Sequence, residues 1–276
     1  MTSLARESPP NPELASSAAS PLVFITGASS GLGQALALRF YQAGWRLALV
    51  ARREDAIRAW AAQHGVSPAR FWACAADVSQ TDSIVAASEA CMATQGLPDV
   101  VIANAGISIG MDTAERNDLD VMARTFAVNN VGLAATFHPF VAPMRQRGSG
   151  RLVGIASVAA IRGLPGHGAY CASKAGVVSY CESLRGELRR SGVRVVTIAP
   201  GFIDTPLTRG NRYAMPFLMS AQAFADHAFR TVEAAPSYAV IPWQMGLAAK
   251  LLRVLPDSWY DRLIEGRGRK AREIER

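Results

Sequence analysis

The chain has 276 residues and a mass of 29.4 kDa, with half its residues apolar and 18% charged, enough for one sizeable core. A net charge of +7 raises nucleic acid or an anionic membrane as partners. The arginines are dispersed, however (Arg39, Arg46, Arg52, Arg53 and the 145–151 stretch), and with no recognisable nucleic-acid module neither DNA nor RNA binding is expected.

Four cysteines without a C-x-x-C pair, and four scattered histidines, argue against a disulfide framework or a metal site. Reduced thiols in a cytoplasmic protein fit better. Residues 1–21, rich in Pro, Ser and Ala, read as a disordered tail without the apolar core of a signal peptide. No run of eighteen apolar residues occurs, so no transmembrane helix is expected.

After the tail, short apolar runs at 22–26, 45–51, 71–75, 99–103, 151–156, 193–199 and 238–241 read as strands. Helical periodicity places helices between them at 34–43, 55–64, 81–94, 117–147, 169–190 and 222–231. Strands alternating with helices predict βαβ units. The expected fold is a single doubly wound Rossmann-type α/β domain over 22–245, with a parallel sheet of about seven strands and helices on both faces.

The segment Thr26-Gly27-Ala28-Ser29-Ser30-Gly31-Leu32-Gly33 lies between the first strand and first helix. Its glycines permit a tight turn and close approach of a pyrophosphate, which the helix N-terminus would receive on free amides. The second strand ends Ala51-Arg52-Arg53. An NAD site generally carries an acidic residue there for the ribose 2′-hydroxyl, whereas a basic one accommodates a 2′-phosphate, so NADP(H) is the expected cofactor. Asp77-Val78 after the third strand offers a carboxylate for the adenine amino group. Asn104-Ala105-Gly106 after the fourth leaves room for the adenosine ribose.

Tyr170 and Lys174 stand four residues apart, on one face of a predicted helix. A free phenol has a pKa near 10, and a neighbouring ammonium lowers it, which makes Tyr170 a candidate general acid in carbonyl reduction and base in the reverse direction. The spacing is weak evidence by itself. Ser157, just past a strand end, could hydrogen-bond the substrate carbonyl oxygen, and Asn129 could hold a water beside Lys174, with Asn130 its rival for that role.

Together these residues resemble the short-chain dehydrogenase/reductase family over roughly 22–245: Thr26–Gly33, Asp77, Asn104–Gly106, Asn129, Ser157, Tyr170, Lys174 and Pro200-Gly201, in order. The resemblance implies that Lys174 also binds the nicotinamide ribose and that Ile203 and Thr205 contact the nicotinamide amide. It also implies NADP(H) use, since members with Arg at the position of Arg52 usually have it, and dimers or tetramers built through 117–147 and 169–190. Ala103, where many members have a second Asn, is a common variation. A non-catalytic NADP(H) sensor or scaffold, and a lyase or epimerase on the same fold, are the competing readings.

Substrate choice, for a small alcohol/ketone pair, is assigned to a lid at 205–225 with 162–168 facing it. Tyr213, Met215, Phe217, Leu218 and Met219 suggest either an apolar pocket wall or packing of the lid onto the domain. His167 reads as a solvated loop residue. Residues 246–276 form a helical, basic extension. Its apolar helices and the run Arg267, Arg269, Lys270, Arg272 and Arg276 fit peripheral membrane contact, packing on the domain or a second subunit, with the basic tail merely solvated.

Overall fold

A computed structural model describes residues 20–209, 211, 214–266 and 268–272. Most of the expected N-terminal tail, Tyr213, Arg267 and Arg276 lie outside the described residues. Ser20 and Pro21 do not belong to a loose tail: Arg46 holds the Ser20 carbonyl with its side chain and the Pro21 carbonyl with its backbone amide.

Seven strands form one parallel sheet in the order β3-β2-β1-β4-β5-β6-β9: β1 (Leu22–Thr26), β2 (Arg46–Ala51), β3 (Phe71–Ala75), β4 (Val100–Ala103), β5 (Gly150–Ile155), β6 (Val193–Pro200) and β9 (Tyr238–Ile241). Two two-residue strands absent from the sequence reading, β7 (Ile203–Asp204) and β8 (Met219–Ser220), pair with each other outside it. β1 is buried along its whole length, as a parallel strand covered on both faces must be. Val23 and Ile25 feed one core, while Leu22 and Phe24 feed the other.

Helices α1 (Gly31–Gln42), α2 (Glu54–Gln63) and α7 (Ala221–Ala234) cover the first face through Phe40, Ile57, Trp60 and Phe224. The second face carries α3 (Thr81–Gln95), α5 (Gly132–Arg147) and α6 (Gly168–Glu187), which bury Ile84, Phe137, Phe140, Val177 and Leu184. The expected helix over 117–147 is interrupted. It runs as α4 (Asp118–Phe126), one wide π turn (Ala127–Val131), then α5. Periodicity does not register a single added residue in a helix, and π turns of this kind cluster at functional sites. This one contains Asn129.

The chain order reverses between β1 and β4, so the loops at their carboxyl ends diverge and leave a crevice. Beyond β9, α8 (Trp243–Val254) and α9 (Asp257–Ile264) pack on the domain through Met245, Gly246, Ala249, Tyr260 and Ile264. Their opposite face leaves Trp243, Leu247, Leu251, Val254, Trp259 and Leu263 exposed. Among the described residues no helix is long and apolar enough to cross a membrane. All four cysteines are free thiols.

Candidate active site

The crevice between the diverging loops opens into a cleft of about 1260 Å³ along the carboxyl edge of the sheet. At one end lies the glycine loop. Gly27 has φ +69° and Gly31 φ +56°, a region that only glycine occupies without strain. Gly33 lies beneath the loop rather than in the cleft: a Cβ there would stand 2.2 Å from the Gly27 carbonyl oxygen. α1 starts at Gly31 with no side-chain cap and no acidic residue in its first turn. Its amides and dipole are therefore available to an anion, which fits the pyrophosphate of a dinucleotide.

Ser29, Ser30, Gly31 and Leu32 line this end, and Arg52 and Arg53 stand on its rim, both exposed. The nearest carboxylate after them is engaged elsewhere: Glu54 accepts from Arg58 at 2.7 Å and from the Ala75 amide at 3.0 Å. Asp77 and Val78 line the adjacent wall, with Asp77 Oδ1 accepting from the amide and hydroxyl of Ser79.

Asn104, Ala105 and Gly106 line the floor. Asn104 also works as a brace, its Nδ2 donating to the Thr26 carbonyl at 2.9 Å. The Thr26 hydroxyl in turn accepts from the amides of Asn104 and Ala105, so Thr26 sews the β1 and β4 loops together. Sequence reading gave Thr26 no such role; its side chain can be placed there only once β1 and β4 are known to be neighbours.

Tyr170, Lys174 and Ser157 line the same cleft. Lys174 is 4% exposed, and its Nζ donates to the Ile155 carbonyl at 2.8 Å and lies 5.9 Å from the Tyr170 ring centroid. Burial lowers its pKa to about 8. The Ser157 hydroxyl accepts from the Ala159 amide at 3.1 Å, which leaves its proton to donate elsewhere.

Asn129, 1% exposed, lies behind the cleft wall. Its Oδ1 accepts from the Ile107 amide, while Nδ2 donates to the Ile107 carbonyl and the Ser173 hydroxyl. Ser173 donates to the Tyr170 carbonyl, so a chain of hydrogen bonds ties the π turn to the helix that bears Tyr170 and Lys174. Asn129 and Asn130 divide the work. Asn130 reaches the Ser173 carbonyl beside Gly176, whereas Asn129 Oδ1 and Lys174 Nζ both border Gly106.

Pro200, Gly201, Ile203 and Thr205 complete the lining, with Thr205 bordering Gly31, and are joined by Ser108, Ile109, Arg124, Leu207, Lys270 and Ala271, six residues that the sequence reading did not single out as site residues. The expected facing segment 162–168 contributes nothing to the lining. Its Arg162 is captured instead by the carbonyls of Leu252 and Leu255, by Asp257 at 2.7 Å, and by the ring of Tyr260, so the segment is a dock for α8 and α9.

His167 is likewise not solvated. It is 5% exposed, and burial, with the charge of Lys270 opposing the partial offset of a hydrogen bond to the Pro165 carbonyl, lowers its pKa. Within the lid, Phe217 and Leu218 are exposed, and Met215, Phe217, Leu218 and Met219 stay outside the cleft. Packing onto the domain falls to Phe224, Ala225, Ala228 and Val232 of α7, with Met219 beside them.

The parallel doubly wound sheet thus carries a glycine cradle at its switch point and a tyrosine-lysine-serine group in the same cleft. A family model described as short chain dehydrogenase matches residues 21–215. An uncharacterized oxidoreductase of Myxococcus xanthus (strain DK1622) is 35% identical over 86% of this chain and 93% of its own length. A 3-ketoacyl-(acyl-carrier-protein) reductase from Brucella melitensis, solved with NADH, is 28% identical with a TM-score of 0.72, covering 80% of this chain and 94% of that one. An alcohol dehydrogenase from Thermococcus sibiricus, solved with 5-hydroxy-NADP, is 25% identical with a TM-score of 0.70, covering 80% and 95%. The chain belongs to the short-chain dehydrogenase/reductase family and is an oxidoreductase of that family.

Proposed function

We propose that the protein interconverts a carbonyl and an alcohol using NADP(H), with Tyr170 as general acid in reduction and base in oxidation. The observation that carries this reading is the placement of Tyr170, Lys174 and Ser157 in one cleft with the glycine cradle. Bound NADPH would supply a hydride to the carbonyl carbon. Ser157, its acceptor side already taken by Ala159, donates its hydroxyl proton to the carbonyl oxygen and holds it toward Tyr170.

Tyr170 delivers a proton to that oxygen as negative charge develops on it. The Lys174 ammonium stabilises the phenolate that remains. Asn129, whose Oδ1 borders Gly106 together with Lys174 Nζ, would hold a water beside that ammonium. A buried cation supports turnover over mere cofactor sensing, because desolvating an ammonium is costly and cofactor sensing does not call for a proton-transfer group. Ile109, Leu207 and Ala271, which line the cleft beside the polar Ser108, Arg124 and Lys270, support a ketone or aldehyde with an apolar part.

The NADP(H) preference rests on Arg52 and Arg53 at the cleft rim and on the engagement of Glu54 with Arg58 and Ala75. Arg52→Ala is expected to weaken NADPH binding about 10- to 100-fold, the value of charge-assisted hydrogen bonds to a phosphate, with NADH binding nearly unchanged. Fluorescence titration with both nucleotides measures this. A wild-type protein that binds NADH more tightly than NADPH would contradict the assignment.

A further inference from the structure

We propose that Lys270 is a positioning residue for the reaction, acting through a strap formed by residues 268–272 that fastens the substrate end of the cleft. The inference rests on the cleft being the carbonyl site described above. These residues lie well beyond the part of the chain that the family model matches, which ends at residue 215. As a sequence they read only as a short basic tail.

The strap returns across the domain after α9 has docked, and it is held at both edges of the cleft. On one side its backbone pairs with the loop after β4: Gly110 and Arg272 form a parallel bridge, and the Gly110 amide donates to the Ala271 carbonyl at 3.2 Å. The fit allows no side chain there, since a Cβ on Gly110 would stand 2.1 Å from the Lys270 carbonyl oxygen. On the other side Lys270, 7% exposed, donates from Nζ to the Leu207 carbonyl and to Asn211 Oδ1, both at 2.9 Å. The strap therefore bridges the β4 loop and the loop after β7, and Lys270 and Ala271 become part of the cleft wall.

Among the described residues three ion pairs secure it, from Arg269 to Asp112 and from Arg272 to Asp118 and Glu115. Arg272 grips the carboxylate of Asp118 in a fork, Nε to Oδ2 at 2.7 Å and Nη2 to Oδ1 at 3.2 Å, the geometry that gives guanidinium-carboxylate pairs their strength and direction. Asp118 is itself buried and also accepts from the Asp112 amide at 2.7 Å, so its own position is fixed. Arg269 reaches Asp112 at 3.2 Å and lies along Gly166.

The loop that Lys270 holds begins with Ile203 and Thr205, which line the cleft. It folds back on itself through Thr208, whose hydroxyl donates to the Ile203 carbonyl and accepts from the Thr205 amide. A pull on Leu207 is thus passed directly to Thr205. A cationic side chain with two acceptors is a stiff fastener, because each bond to a charged donor is stronger than a neutral one. Losing it frees a wall whose Thr205 and Pro206 border Gly31 of the glycine cradle, and it leaves the contacts of Tyr170 and Lys174 in place.

The test compares Lys270→Met, Lys270→Arg and Gly110→Val in the full chain. Gly110→Val keeps every fastening side chain and displaces the strap by steric contact alone. In both Lys270→Met and Gly110→Val, amide hydrogen exchange across residues 205–209 is expected to accelerate about tenfold or more, as for a segment released from local protection. KM for an accepted ketone should rise about tenfold with kcat changed less than threefold, the pattern of lost ground-state positioning. Lys270→Arg, still able to donate to Leu207, should restore most of both.

NADPH affinity should weaken as KM rises in Lys270→Met and Gly110→Val, because Thr205 and Pro206 adjoin Gly31 of the glycine cradle, and Lys270→Arg should restore most of it. Unchanged exchange and unchanged KM in Lys270→Met and Gly110→Val would overturn the proposal, as would equal loss of NADPH binding and thermal stability in all three. If wild-type protein turns over no carbonyl compound, the reductase reading fails while the exchange measurement still decides the strap.

Discussion

Tyr170→Phe is expected to lower the rate of carbonyl reduction about a thousandfold, within the range that a positioned proton donor contributes. Affinity for NADPH should change little. The substitution removes one oxygen and retains the ring, and the glycine loop that would receive the pyrophosphate is built from β1 and α1 rather than from α6. Ser173 still donates to the residue 170 carbonyl, because that contact uses the backbone. Ser157 would still orient the carbonyl, so residual turnover reports what positioning achieves without proton donation. Stopped-flow oxidation of NADPH by wild type and variant measures the ratio, and fluorescence titration checks the bound fraction. Turnover unaffected by the substitution would remove Tyr170 from the chemistry.

Lys174→Met is expected to have opposite effects on activity and stability. Turnover should fall about 100- to 10,000-fold, because the cation that stabilises a phenolate is gone. The apoprotein should become more stable. Folding lowers the Lys174 pKa from its ordinary 10.5 to about 8 through burial, so the folded state holds the proton less tightly than the unfolded chain. Between those values the unfolded chain binds more protons, and stability therefore rises as pH climbs from about 8 toward 10.5.

Below about 8 both states carry the proton and the cost of burying it is present in full, at most about 3 kcal/mol. Methionine removes that cost but orphans the Ile155 carbonyl, which returns about 1 kcal/mol of it. A net gain of about 2 kcal/mol would raise Tm of the apoprotein by several degrees at neutral pH. Wild-type reduction should also decline above pH 8 as Lys174 loses its charge. Thermal unfolding at pH 7 together with a pH-rate profile tests both effects. A destabilised apoprotein would show that Lys174 is held chiefly by its bond to Ile155.

The sheet was legible in the sequence because its strands are short apolar runs, wholly buried at the centre as in β1 and only partly buried at the edges β3 and β9; 22–26, 71–75 and 238–241 match these three end to end. The glycine loop, Asp77 and the Tyr170-Lys174 pair were legible because each follows or adjoins such a run. Residues 117–147 concealed a π turn, since one extra residue leaves helical periodicity intact on either side. Arg162 looked like a cleft residue only because its neighbours in sequence lie near Tyr170; its partners, Leu252, Leu255 and Asp257, are some ninety residues away.

The strap carried no signal at all. Gly268 to Arg272 has neither apolar period nor turn signature, and its order comes from Asp118, Gly110 and Leu207, none of them predictable as its neighbours. The lid misled in the other direction. Phe217 and Leu218 suggest a pocket wall by composition, yet they face outward while Leu207 and the strap line the cleft.

Hydride transfer itself is tested most directly with NADPH deuterated on one face of the nicotinamide ring and then on the other. Each form is turned over with an apolar ketone, and the alcohol is analysed by mass spectrometry. Deuterium should appear on the carbinol carbon from one face only, with a primary isotope effect on a single turnover. Alcohol formed without deuterium from either face, or NADPH bound with no reduction across a broad panel of ketones and aldehydes, would contradict a carbonyl reductase.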